Sequence, residues 1–126
     1  MKLNISIWYM DFKSYSLLGF EIGILKKTPA HWTFYDLSDK NYGAYVGVLC
    51  DSGSGLLEST KIGFYLEEEY QRRGLGRKFL EKYIHEVNPV GGIFEARGAT
   101  NASKALVSGF GFTYLPDKFT WIYKKD

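Results

Sequence analysis

Ile62-Gly63-Phe64-Tyr65-Leu66-Glu67-Glu68-Glu69-Tyr70-Gln71-Arg72-Arg73-Gly74-Leu75-Gly76-Arg77-Lys78-Phe79-Leu80 changes structural period partway along its length. At its start Ile62, Phe64 and Leu66 alternate with Gly63 and Tyr65, the two-residue period of a strand. At its end, and on to Val87, the residues Phe79, Leu80, Tyr83, Ile84 and Val87 fall on one helical face. Glu81/His85 and Lys82/Glu86 line the other side as i,i+4 pairs. Between strand and helix lies a polar loop ending in Gly74-Leu75-Gly76. Two missing Cβ atoms let a ligand approach the backbone. The unpaired N–H groups and dipole of the helix start suit an anion such as a diphosphate. Arg72, Arg73, Arg77 and Lys78 add cationic groups. The stretch is not a Walker loop, because Gly-Lys-Ser/Thr is absent, nor a Rossmann fingerprint, because the third glycine is missing. The alternative without a ligand is a tight turn with a solvated basic edge.

Towards the N-terminus the chain reads as strands. Leu3, Ile5, Ile7 and Tyr9 alternate with polar residues, and Phe20–Leu25, Trp32–Leu37 and Ala44–Cys50 are further β-rich runs. Asp11–Leu18 is expected to hold a short helix. Thr28-Pro29-Ala30 and Ser38-Asp39-Lys40-Asn41 separate runs, and Asp51-Ser52-Gly53-Ser54-Gly55 reads as a flexible turn before a strand over Thr60–Leu66. Towards the C-terminus, Asn88-Pro89 stops the helix. Ile93–Ala96 is a short strand, and Thr100 or Asn101 caps a second helix over about Ala102–Ser108 with Gly109 as its stop. Phe112–Leu115 and Phe119–Tyr123 form a final hairpin around Pro116-Asp117-Lys118. The order predicts one α/β (α+β) domain spanning 1–126, a mixed sheet with helices packed on it.

The 126 residues suffice for a single core. Ten Tyr and nine Phe supply large packing units. A net charge of only +2 argues against nucleic acid as a partner, since such binders concentrate basic charge on one face. A steep salt dependence of nucleic-acid affinity would be needed to revive that reading. Cys50 has no partner for a disulfide, and His31 and His85 are far apart in sequence, so no metal site is expected. No run reaches the roughly 20 apolar residues of a membrane span, and the start of the chain lacks a signal-peptide profile. The expectation is a cytoplasmic protein without membrane or nucleic-acid partners.

Gln71, Gly74 and Gly76, with Tyr70 before them and Leu66 at the strand end, resemble the Gln/Arg-x-x-Gly-x-Gly/Ala motif of the GCN5-related N-acetyltransferase (GNAT) superfamily. Asn101-Ala102-Ser103-Lys104-Ala105-Leu106-Val107-Ser108-Gly109-Phe110-Gly111-Phe112 resembles its second motif, a helix beginning near an Asn and ending in Gly-Phe. The resemblance covers about half the chain, from Thr60 onward. It implies a mostly antiparallel GNAT-like sheet, splayed between Thr60–Leu66 and Ile93–Ala96, with acetyl-coenzyme A in the gap as acyl donor. By that resemblance the backbones of Tyr65 and Leu66 hold the pantetheine arm. Gln71, Arg72, Arg73, Gly74, Leu75, Gly76 and Arg77 form the diphosphate turn, and Asn101 touches the coenzyme A chain. The family often carries a Tyr late in the second helix, which protonates the departing thiolate. Here the position falls on Val107 or Ser108, which leaves Ser108 as the hydroxyl candidate. The family's helices between its first two strands have little room in Tyr9–Gly19, so the N-terminal helical part is reduced, and the acceptor pocket is either reduced with it, rebuilt from elsewhere or completed by a partner chain, as in a homodimer.

The implied reaction is direct attack of a primary amine on the thioester. A lysine-like amine has a pKa near 10.4, so a base must take a proton. Glu67 is the leading candidate, with Glu68, Glu69, Glu21 and Glu95 behind it, and a solvated acidic loop is the competing role for the first three. A backbone N–H near Leu66 would stabilise the oxyanion. Cys50, His31, His85 and the three Trp read as packing or surface residues. The rival function is a non-catalytic module that binds acyl-coenzyme A or a protein partner.

Overall fold

The computed structural model describes residues 11–38 and 43–126. The expected strand over Leu3–Tyr9 lies outside them. Strands β1 (Asp11–Leu17), β2 (Phe20–Thr28), β3 (His31–Asp36), β4 (Ala44–Ser54) and β5 (Thr60–Leu66) come first. Helix α1 (Leu75–Glu86), β6 (Ile93–Ala96), α2 (Asn101–Phe110), β7 (Thr113–Leu115) and β8 (Thr120–Lys124) follow. Among the described residues the strands make one sheet in the order β1-β2-β3-β4-β5-β6-β8-β7. Every neighbouring pair is antiparallel except β5 and β6. This is the mixed, mostly antiparallel sheet that the resemblance implies. None of the described helices is long and apolar enough to cross a membrane.

The helix expected over Asp11–Leu18 is a strand, and this expectation is corrected. Tyr15 and Leu17 alternate with exposed Ser14 and Ser16 and pack at the edge of the core. Leu17 pairs with Phe20, so Leu18-Gly19 is a two-residue hairpin loop. Both of its residues have positive φ, 52° and 84°. That is the backbone a tight hairpin of this twist requires, and Leu is an unusual residue for it. No helix therefore stands between β1 and β2.

Two stops are also corrected. β4 continues through Asp51-Ser52-Gly53-Ser54, because Ser54 still pairs with Thr60 across a bulge. The turn lies beyond it, where Leu56 N–H and the Ser59 hydroxyl donate to the buried Glu95 carboxylate at 2.8 and 2.7 Å. Gly109 lies inside α2, which runs on to Phe110. Gly111, with φ 121°, is the residue that ends it. At the other end Thr100 and Ser103 form a reciprocal capping box.

The apolar face of α1 lies on β2–β5. Phe79 stacks on Phe34 with centroids 3.8 Å apart, and Tyr83 meets Trp32 edge-on at 5.2 Å. Burying such a side chain contributes about 1.5–3 kcal/mol. The Tyr83 hydroxyl donates to Ala30 O at 2.8 Å. At the rim Lys26 pairs with Glu86 and stacks on Trp32, and Lys82 lies over Tyr15. Lys125 Nζ donates to the carbonyls of His85 and Val87, closing the C-terminal end of α1. Leu106 and Val107 bring α2 onto the same helical layer beside α1.

Candidate functional site

β5 and β6 stay together for only two residue pairs, Thr60 with Phe94 and Lys61 with Glu95. Beyond Lys61 the two parallel strands part. β5 keeps its antiparallel partner β4 as far as Gly47↔Leu66. The parting strands open a cleft of about 680 Å³ at their C-terminal ends. That size lies within the range of small-molecule sites, and the carboxyl end of parallel strands is where such sites form.

One wall is the end of β5, with Phe64, Tyr65 and Leu66. Its geometry is fixed from two sides. Gln71 Nε2 donates to Leu66 O at 2.8 Å, which ties the loop back to the strand end. A Cβ on Gly47 would fall 2.4 Å from Tyr65 O, so only glycine lets β4 approach here. The second wall is α2, presenting Asn101, Ala102, Ala105 and Leu106, with the Thr100 and Ser103 cap at its mouth. Thr100, Ser103 and Leu106 are lining residues that the sequence reading did not single out. Their signal was the cap and the helical spacing, which name a face but not its neighbour.

The third wall is the turn before α1. Arg72 and Gly74 have φ of 59° and 84°. Left-handed residues alternating with ordinary ones turn successive N–H groups to one side, a concavity suited to an anion. The first helical bond runs from Lys78 N to Gly74 O. The N–H groups of Leu75, Gly76 and Arg77 therefore precede the intrahelical ladder. Gly76 lets α1 lie against the strand, since a Cβ there would fall 3.3 Å from the Phe64 ring. Arg72 and Arg77 both line the cleft. Arg77 Nη1 also donates to Gly109 O at 3.0 Å, joining the start of α1 to the end of α2.

Of the residues expected at the cofactor site, Tyr65, Leu66, Gln71, Arg72, Gly74, Gly76, Arg77 and Asn101 converge on this cleft. Arg73 does not line it, because its guanidinium lies over the Phe20 ring at 5.8 Å. The Leu75 side chain is fully buried in the core, leaving its backbone at the helix start. Lys78 pairs with Glu81 along the helix. Ser108 lies on the exposed side of α2, outside the cleft lining, and its hydroxyl leans on Ala105 O at 3.4 Å. Val107, the other register choice, is buried. Glu21 accepts from Ser16 on the outer hairpin, and Glu95 is taken up in closing the β4–β5 turn. Neither lines the cleft.

Glu67 lies just past the strand, half-buried, with its N–H donating to Val46 O at 2.8 Å. Its charge, and then the hydrogen bond it accepts from the Tyr65 hydroxyl, push that phenol above its ordinary value. Burial first, and Glu67 second, raise Tyr45. Glu68 and Glu69 are exposed. The sequence reading also missed Asp36, which is buried and accepts from the Tyr70 hydroxyl at 2.7 Å and from Ser38 N–H at 3.0 Å. Burial, then the bond to Asp36, raises the Tyr70 phenol. This pair ties the loop after β5 to β3, behind the cleft rather than in it.

No family model matches the chain, and no curated protein matches it. Among solved structures it is similar to a ribosomal L7/L12 alpha-N-protein acetyltransferase, RimL, in an apo crystal form. The identity is 17%, the TM-score is 0.49, and the match covers 77% of this chain and 71% of that one.

Proposed function

We propose that the protein is a GNAT-type N-acetyltransferase that moves an acetyl group from acetyl-coenzyme A to a primary amine by direct attack. The observation that carries this is one cleft combining three features. It has a splayed strand end, a helix start with left-handed Arg72 and Gly74, and two lining arginines. The turn, with Arg72 and Arg77, suits the diphosphate. The channel between β5 and α2, lined by Phe64, Leu66, Ala105 and Leu106, suits a long, largely apolar arm. The Leu66 end of β5 is where the thioester would meet the acceptor. There the amine nitrogen forms a bond to the carbonyl carbon, the C–S bond breaks, and the electron pair leaves on sulfur. Glu67 takes a proton from the attacking nitrogen, directly or through water. A backbone N–H at the strand end stabilises the oxyanion.

Titration of the protein with acetyl-coenzyme A by calorimetry tests this, beside an Arg72→Glu/Arg77→Glu variant. Micromolar binding that the variant loses supports the reading. A folded wild-type protein that binds none overturns it. The second reading, an acyl-coenzyme A-binding module without turnover, draws on the second helix. Val107 is buried and Ser108 lies outside the cleft lining, so neither register choice supplies the cleft with a proton donor. Binding without coenzyme A release across a broad amine panel would favour it.

A further inference from the structure

The two faces of the sheet are unlike. Alternation along β5 turns Phe64 and Leu66 towards α1 and Tyr65 the other way. On that other face the Tyr65 ring stacks on Tyr45 with centroids 6.5 Å apart and planes 13° from parallel. Tyr45 in turn meets Tyr35 edge-on at 6.3 Å. The three rings thus run across β5, β4 and β3, starting at the strand that walls the cleft. Further out, Phe12 lies over Gly23, the residue paired with Tyr35. Tyr65 and Tyr45 are 50% and 39% exposed, so their surfaces are open to a ligand. Among the described residues both helices pack on the opposite face.

We propose that the amine acceptor docks on this tyrosine ladder, and that it is a primary ammonium on an unbranched methylene stem. The proposal rests on the acetyl-transfer reading above. Ring faces carry negative quadrupole potential and attract cations. The Glu67 carboxylate, beside Tyr65 and sensed by both Tyr65 and Tyr45, adds a full negative charge at the cleft end of the ladder. Together they select an ammonium head and reject a carboxylate. The rings lead away from the cleft across the strands, and so give an apolar track for a stem. The ammonium loses a proton to Glu67 and the neutral nitrogen attacks. One proton finally restores the coenzyme A thiol and the other goes to water, so the exchange balances. A free alkylamine and a lysine side chain share this chemistry.

Steady-state coenzyme A release tests it, with pentylamine, Nα-acetyl-lysine methylamide and 6-aminohexanoate as acceptors and acetyl-coenzyme A affinity measured in parallel. Tyr45→Leu and Tyr65→Leu should each raise the KM for pentylamine by about three- to tenfold. In Tyr45→Leu, which lies outside the cleft lining, acetyl-coenzyme A affinity should stay within about twofold. Tyr45→Phe, which keeps the ring, should hold the wild-type KM, and Glu67→Gln should raise it. The anionic end of 6-aminohexanoate should make it the poorest of the three. A higher kcat/KM for pentylamine points to a free amine, and one for the lysine derivative to a side chain; each upholds the docking surface. An unchanged KM in both Leu variants, or a preference for 6-aminohexanoate, overturns the proposal and leaves the acetyl-transfer reading standing. Failure to bind acetyl-coenzyme A overturns both. If a Leu variant does not fold, tyrosine fluorescence of the coenzyme A-bound wild type decides instead. Pentylammonium should perturb it and pentanoate should not, and equal effects overturn the proposal.

Discussion

The β1–β4 meander and the β5–β6 wedge are built from the same kinds of residue and behave differently. In the meander each strand pairs along most of its length, and β1 and β2 are joined by a loop of just Leu18-Gly19. Its inner face is sealed under α1 by Ile22, Ile24, Trp32 and Phe34. In the wedge, two strands touch at two residue pairs and then separate. The groups that pairing would have used up are left to line a cleft instead. The cleft forms where strand pairing is abandoned.

The largest test of this division is Phe79→Ala, which removes the ring stacked on Phe34 where α1 joins the two regions. It should cost about 3–5 kcal/mol, read as the loss in denaturant unfolding free energy. Circular dichroism and tyrosine fluorescence should unfold together. Two separate transitions would show that meander and wedge are independent units. Gly47→Ala and Gly23→Ala sharpen the contrast. A Cβ on Gly47 meets the Tyr65 backbone, whereas on Gly23 it meets the tip of the exposed Phe12 ring, which can swing away. Gly47→Ala should cost about 1–3 kcal/mol and weaken acetyl-coenzyme A binding. Gly23→Ala should leave that binding unchanged in the same calorimetric titration.

Tyr70→Phe probes the tie between the regions, since its hydroxyl reaches Asp36 on β3 from the loop after β5. The expected loss is about 1–3 kcal/mol in urea unfolding. Tyr70 and Tyr83 also set an alkaline limit. Both phenols are raised in the folded protein, with burial as the first cause. Their contribution is complete below about pH 10, where phenols of the unfolded chain keep their protons. It falls as pH rises beyond that value, because the unfolded state then gives up protons that the folded state retains. A stability profile from pH 8 to 12 should bend downward near pH 10, less steeply in Tyr70→Phe. The smallest effect should come from Lys26→Ala. It removes a rim ion pair to Glu86 and a cation over Trp32, for about 0.2–1 kcal/mol, and salt should diminish it.

The wedge was the more legible region in the sequence. β5 and β6 fall on the predicted Thr60–Leu66 and Ile93–Ala96 because Ile62, Phe64 and Leu66 alternate cleanly and the Gly-rich breaks frame both strands. The turn before α1 was legible for the same reason, as a change of period marked by glycines. The meander was harder. β1 looked like a short helix, since only its pairing to β2 through a Leu-Gly loop makes it a strand. The extension of β4 past Asp51 likewise comes from its bond to β5, which overrides a turn-forming composition. Side-chain roles that depend on register were out of reach. Arg73 could not be told from Arg72 until one lay over Phe20 and the other on the cleft. The ladder of Tyr35, Tyr45 and Tyr65 spans three strands and exists only once their pairing is known.

The two-pair contact at Thr60 and Lys61 also makes β5 a lever. Leu66 lies roughly five residues beyond that fulcrum, or about 17 Å at a strand's rise of 3.3–3.4 Å per residue. By the same arithmetic a tilt of only about 5° shifts the strand tip by about 1.5 Å, half the length of a hydrogen bond. The aperture can therefore change by a chemically meaningful distance only if β4, paired to β5 as far as Gly47↔Leu66, tilts with it. Gly47 and Gln71 act at the far end of the arm, where restraint has the greatest mechanical advantage.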